Sequence, residues 1–166
     1  MDEQYITQCG TPVDIGVHQE DFDVGVLHER LRQHSRSDTG AIATFTGLVR
    51  DFTDQPDSSA TLHLEHYPGM TERSLQAIAE EACARWPLLR MIVLHRVGEL
   101  GPGDQIVYVG VSSSHRDAAF AAAEFVMDYL KTRAVFWKKE LSAESETWVA
   151  SKASDYARAA DWESKD

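Results

Sequence analysis

Between Gln105 and Lys131 the chain changes its periodicity with no linker in between, and this junction limits the possible folds more than any other stretch. Gln105–Ser112 (QIVYVGVS) is rich in β-branched and aromatic residues, the composition of a strand. From about His115 to Lys131, Ala119, Ala122, Ala123, Val126, Met127 and Leu130 recur at helical spacing. A strand that feeds directly into an amphipathic helix calls for a sheet on which the helix buries its stripe. The rest of the chain supplies further elements. Asp23–Gln33 carries Val24, Leu27 and Leu31 at helical spacing, with Asp23 as candidate N-cap. Ala41–Val49 and Thr61–Tyr67 read as strands. Thr71 opens a helix with Leu75, Ile78, Ala79, Ala82, Cys83 and Trp86 on one stripe, stopped by Pro87. Arg90–Val97 is another strand, joined to the Gln105 strand by the turn-rich GELGPGD. The order predicts an α+β fold, a sandwich of sheet and helices. A single domain is expected over 1–150, with 151–166 as a polar tail or short helix. The chain beyond Glu140 carries Trp148, Tyr156 and Trp162. Asp51–Ala60 (DFTDQPDSSA) reads as a mobile loop.

The 166 residues suit one domain with a real core. No apolar run reaches the roughly 18 residues of a membrane span, and MDEQYITQCG is acidic where a signal peptide is basic. A cytoplasmic protein without a membrane partner is expected. Cys9 and Cys83 have no CxxC context, and Cys83 lies on a helix stripe as a small core residue. His63 and His66 point to opposite faces of a strand, so no metal site is expected there. There is no GxGxxG, Walker A or GxSxG, and no cofactor is indicated.

Net charge is −11, from 27 acids against 16 bases, which disfavours nucleic acid as a partner. Yet Lys131–Lys139 (KTRAVFWKK) holds four cations and no acid. Such an island suits a small anion, although a solvated basic face explains charge alone as well. Ser112–Asp117 (SSSHRD) lies at a helix start, where free N–H groups and the dipole favour anions. His115 and Arg116 add donors there, while Ser114 and Asp117 read equally as a capping box. Lys131, Lys138 and Lys139 crowd the far end of the same helix. Crowding and burial depress a lysine pKa toward the range of acid–base or nucleophilic work. The competing reading is lysines that complement the dipole and lie over Phe136 and Trp137. Arg50 ends the Ala41 strand, after Gly47, and is a weak signal by itself.

Taken together, GAIATFTGLVRDF (Gly40–Phe52), LEHYPGMTE (Leu64–Glu72), HRVGELGPGDQIVYVGVSSSHRDAAF (His95–Phe120) and FVMDYLKTRAVFWKKE (Phe125–Glu140) resemble one family. It is the large, catalytic subunit of molybdopterin synthase, and the likeness spans roughly 20–150. The resemblance implies an α/β hammerhead-type fold and a central homodimer, with a small ubiquitin-like sulfur-carrier subunit at each end of a heterotetramer. That carrier's C-terminal Gly-Gly thiocarboxylate would thread into a pocket and pass sulfur twice to cyclic pyranopterin monophosphate, giving molybdopterin. By the same resemblance Lys131 and Lys138 are catalytic, and Arg50, His115 and Arg116 hold the pterin phosphate. Leu48, Val49, Lys139 and Glu140 complete the substrate-binding segments. Leu48 stands where many relatives carry lysine, so only a backbone or packing role carries over, and Val135 stands where proline is common. Lys131 is expected to move the proton or attack the carrier's carbonyl, with Lys138 in support. Lys138 would lie about 10 Å away if the helix continued, or fold back if it broke near Val135. The rival readings are a non-catalytic adaptor for a ubiquitin-like tail and an enzyme for another phosphorylated heterocycle.

Overall fold

The computed structural model describes residues 2–34, 37–51, 60–142 and 146–165. Most of the expected mobile loop, 52–59, lies outside the described residues. The elements are β1 (Glu3–Ile6), β2 (Pro12–His18), α1 (Val24–Gln33), β3 (Ala41–Leu48), β4 (Thr61–His66), α2 (Met70–Arg85) and β5 (Arg90–Arg96). They continue with β6 (Gly98–Leu100), β7 (Gln105–Ser113), α3 (Arg116–Leu130), β8 (Phe136–Leu141), β9 (Glu146–Val149) and α4 (Ala153–Glu163). One sheet has the order β1-β2-β5-β7-β3, with β2 and β5 parallel and the other pairs antiparallel. The second, β6-β4-β8-β9, is antiparallel.

Alternation along β5 and β7 divides the larger sheet into two apolar faces. Met91, Val93, Val107, Val109 and Val111 join Leu75, Ile78, Ala119, Ala122 and Val126 of α2 and α3 in the main core. Ile92, Leu94 and Tyr108 face Leu27 and Leu31 of α1. A third cluster, Val49, Leu62, Leu64, Val97 and Leu100, lies under the smaller sheet. Asp23 caps α1 by accepting from the amides of Gly25 at 2.8 Å and Val26 at 3.1 Å.

Several sequence expectations need correction. The N-cap of α3 is His115, not Ser114, and it makes no side-chain cap bond. The serine at work is Ser113, whose hydroxyl donates to Pro87 O at 2.8 Å and ties the end of β7 to the turn after α2. KTRAVFWKK does not extend the helix: α3 stops at Leu130 and the chain re-enters a sheet as β8. Trp148 belongs to β9, while Tyr156 and Trp162 belong to α4. Trp162 sits in the main core and donates its indole N–H to Asp128 at 2.7 Å. Strand β2 is missed by sequence because Asp14 and Gly16 are poor strand formers. Tertiary partners account for both: Asp14 takes ion pairs from Arg90 at 2.8 Å and Arg30 at 3.3 Å, and a side chain at 16 would press on Leu94.

Candidate active site

The end of α3 and the start of β8 are held in place by α2. Thr71 Oγ1 donates to Val135 O at 2.6 Å, and Val135 N donates to Ser74 Oγ at 3.2 Å. Arg133, in the turn between, pairs with Glu81 at 2.8 Å and Glu163 at 2.9 Å. The turn therefore has fixed geometry, and the break near Val135 sends Lys138 back as part of a strand. Opposite Leu64 in the β4 register, Lys138 shares its face with Phe136 and Glu140, while Trp137, Lys139 and Leu141 take the other. Lys139 is occupied there: its ammonium meets Glu146 at 3.0 Å and lies 4.6 Å from the centre of the Trp148 ring.

Lys138 is half-buried, and its pKa is lowered first by loss of solvation and next by the Lys131 charge. Lys152 and Arg50 push the same way, and Glu140 opposes them. Four ionisable groups thus act on Lys138, drawn from the end of α3, β8 itself, the approach to α4 and the stretch after β3. Lys152 comes near because Ser151 donates its hydroxyl to the Lys131 carbonyl. Lys131 itself is exposed at the helix end. The desolvated amine is therefore Lys138, the lysine to which sequence reasoning gave the supporting role.

His95 is a further member that sequence reasoning missed. Its ring stacks on Phe136 with centroids 4.0 Å apart and planes at 26°. Nδ1 lies 2.7 Å from Arg96 O. Burial pushes its pKa down to about 4; the Arg96 carbonyl opposes it, and the Lys131 and Lys138 charges add smaller downward pushes. His95 is neutral at physiological pH. The residue as a whole is only half-buried, at the end of β5. The available signal was the alternation Met91, Val93, His95, which puts an imidazole on the core face. Lys152 offered no comparable signal.

The remaining expected residues are distributed as follows. Leu48 is exposed at the end of β3, beside a register shift between Gly47 and Leu48. Val49 is buried in the third cluster, its N–H donating to Asp104 O at 2.9 Å. Arg50 follows at the surface, within electrostatic reach of Lys138. His115 and Arg116 do not join the lysines within one chain. The 15 residues of α3 stand between them, about 22 Å of helix. Arg116 has an 84% exposed side chain and, among the described residues, pairs only with the neighbouring Asp117 carboxylate, at 3.8 Å.

Two open depressions of about 460 Å³, one lined by Arg32 and Thr39–Ile42 and one by Arg85, Trp86, Ala121, Trp162 and Lys165, include none of these lysines. Among the described residues there is no group of three His, Cys, Asp or Glu side chains able to hold a metal ion. No described helix is long and apolar enough to cross a membrane.

Fold and cluster first define a class: an α+β domain that sets a paired lysine site, ringed by further cations, at the meeting of two sheets. The profile of the MoaE protein family matches residues 17–133, and the chain belongs to this family. It is 56% identical over 149 residues to the molybdopterin synthase catalytic subunit of Vibrio cholerae, spanning 90% of this chain and 97% of that one. The structure of a molybdopterin biosynthesis MoaE protein from Burkholderia ambifaria superposes with a TM-score of 0.77 at 48% identity, covering 90% of this chain and 97% of its own. A molybdopterin synthase structure from Staphylococcus aureus gives 0.72 at 30% identity, covering 81% and 95%.

Proposed function

We propose that this chain is the catalytic subunit of a molybdopterin synthase. In this reading it transfers sulfur from the thiocarboxylated Gly-Gly end of a small ubiquitin-like carrier to cyclic pyranopterin monophosphate. The observation that carries the reading is the cationic cluster around Lys138 in a protein of net charge −11. A thiocarboxylate and a phosphate repel each other, and clustered cations in a partly desolvated site offset that repulsion. Lys138, with its lowered pKa, suits proton transfer to or from the pterin. Lys131, exposed beside it, is where the carrier's carbonyl arrives. Attack of the carrier's sulfur on a side-chain carbon of the pterin forms a C–S bond as a C–O bond to that carbon breaks, its oxygen leaving on the opened cyclic phosphate or, protonated, as water, and a thioester joins carrier and pterin. Water, or transiently the Lys131 amine, then takes the acyl group, so that sulfur stays on the pterin and a glycine carboxylate is released.

The distance along α3 shapes the assembly. In a homodimer at the centre of a heterotetramer, His115 and Arg116 of one protomer would hold the phosphate at the lysine cluster of its partner. That arrangement supports the phosphate role the resemblance gives them, which a single chain cannot supply. Arg116→Ala is expected to weaken pterin binding by about 1.5–3 kcal/mol, the range for a charge-assisted hydrogen bond. Calorimetry on the dimer checks this, and unchanged affinity removes Arg116 from the site.

The deciding experiment mixes the purified chain with thiocarboxylated carrier and the pterin precursor and measures molybdopterin. Product in the complete mixture, and none when the carrier lacks its Gly-Gly or carries one added bulky residue, is the expected result. A chain that binds the carrier firmly yet yields no product is the adaptor instead.

A further inference from the structure

We infer that His95 is a positioning residue for the lysine pair, fixed as the Nδ1–H tautomer so that an unprotonated Nε2 is left to accept from an ammonium group without adding charge to the anion site. The inference rests on the sulfur-transfer reading of that site and assigns it a further working part.

Three observations meet at this residue. The Nδ1 contact at 2.7 Å is to a carbonyl oxygen, which can only accept, so Nδ1 carries the proton and Nε2 the lone pair. Nε2 has no hydrogen-bond partner among the described residues, and the residue keeps some contact with solvent. The flat stack on Phe136 links β5 of the larger sheet to the residue that opens β8, two positions before Lys138. The ring thus bears on the placement of Lys138 through packing, and the Lys138 charge is felt in turn at the ring.

Burial comes first in keeping the ring neutral, and the charged surroundings add to it. Lys131 and Lys138 both act on the imidazole, and Lys152, Arg50 and Glu140 surround Lys138 in turn. His66, opposite Phe136 on β4, is engaged with Glu72 at 3.8 Å. Arg96 points its guanidinium away, toward the carbonyls of Gln19 and Gln105, each at 2.9 Å. The cations near the ring outnumber the acids, so a second proton on it is disfavoured and the acceptor persists through the physiological range. Among so many donors, an acceptor that cannot become a cation can orient an ammonium group without competing for the anion.

The test uses three forms of the full chain. His95→Phe keeps an aromatic ring against Phe136 but removes the lone pair, and His95→Gln restores an acceptor. NMR of ¹⁵N-labelled imidazole in the wild-type chain should show a protonated Nδ1 and a bare Nε2 at pH 6, and an imidazolium there would overturn the inference. Titration of the lysine side chains by NMR should show the Lys138 pKa falling in His95→Phe and returning toward wild type in His95→Gln. Both measurements stand apart from turnover, so they decide the matter even if the wild-type chain makes no molybdopterin, a result that would sink the sulfur-transfer reading instead. With turnover present, His95→Phe should lower kcat about tenfold, change KM little and shift the pH profile, the loss expected if Nε2 orients an ammonium group in the loaded site. His95→Gln should recover most of that loss. Wild-type lysine titrations and pH profile in His95→Phe would reduce His95 to a packing residue.

Discussion

Lys131→Ala is expected to abolish nearly all turnover and leave the fold and carrier binding as they are. Lys131 is exposed, and its ammonium makes no ion pair or hydrogen bond among the described residues, so the folded state loses little. The reaction loses the amine at the end of α3, where the carrier's carbonyl would arrive. Lys131→Arg should not restore activity, since guanidinium keeps the charge but neither gives up a proton near neutrality nor acts as an amine. Single-turnover assays decide this, and substantial product from Lys131→Arg would reduce the residue to an electrostatic role. Lys138 should behave differently. Its pKa is lowered in the folded chain, so at a pH between the folded and unfolded values the unfolded chain binds more protons and stability rises with pH. Lys138→Met therefore removes a charge the fold holds at a cost. It should raise Tm at neutral pH while depressing activity severely. A lower Tm for Lys138→Met would contradict the account of desolvation.

Phe125→Ala is the substitution expected to cost the fold most, by about 3–5 kcal/mol. The ring is fully buried and meets Trp86 at 5.3 Å, Tyr129 at 4.5 Å and Trp162 at 5.6 Å, all edge to face. Removing it opens a cavity at the point where α2, α3 and α4 converge. These aromatics are too rigid to refill the space, so both the transfer loss and the cavity penalty apply. Denaturant unfolding measures the effect, and a loss below about 1 kcal/mol would mean that the cluster collapses onto the gap.

The long elements were legible in the sequence because their stripes are apolar on the face that is buried. Helices α2 and α3 and strands β5 and β7 follow that rule and appear close to their expected limits. Strand β8 breaks it. Lys138 and Glu140 face inward, while Trp137 and Leu141 face outward, so its alternation runs contrary to the usual pattern. A strand that lines a charged hollow hides its own period, and that inversion is itself a sign of function. His95 was hidden for a related reason, as a polar ring at the end of an otherwise apolar strand. The distance between Arg116 and Lys131 was within reach of the sequence, because a continuous helical stripe between them already holds them about 22 Å apart. What needed coordinates was the return of β8 after the turn, since the hydroxyls of Thr71 and Ser74 that anchor it come from a distant helix.

The length of α3 also has a genetic consequence. On the proposed assembly each reaction centre draws its lysines from one copy and its phosphate grip from the other. A Lys131→Ala copy and an Arg116→Ala copy, each defective with itself, would in a mixed pair leave one centre doubly damaged and the other whole. Two defective alleles could then complement each other inside one cell, and the helix that keeps the residues apart would be the reason.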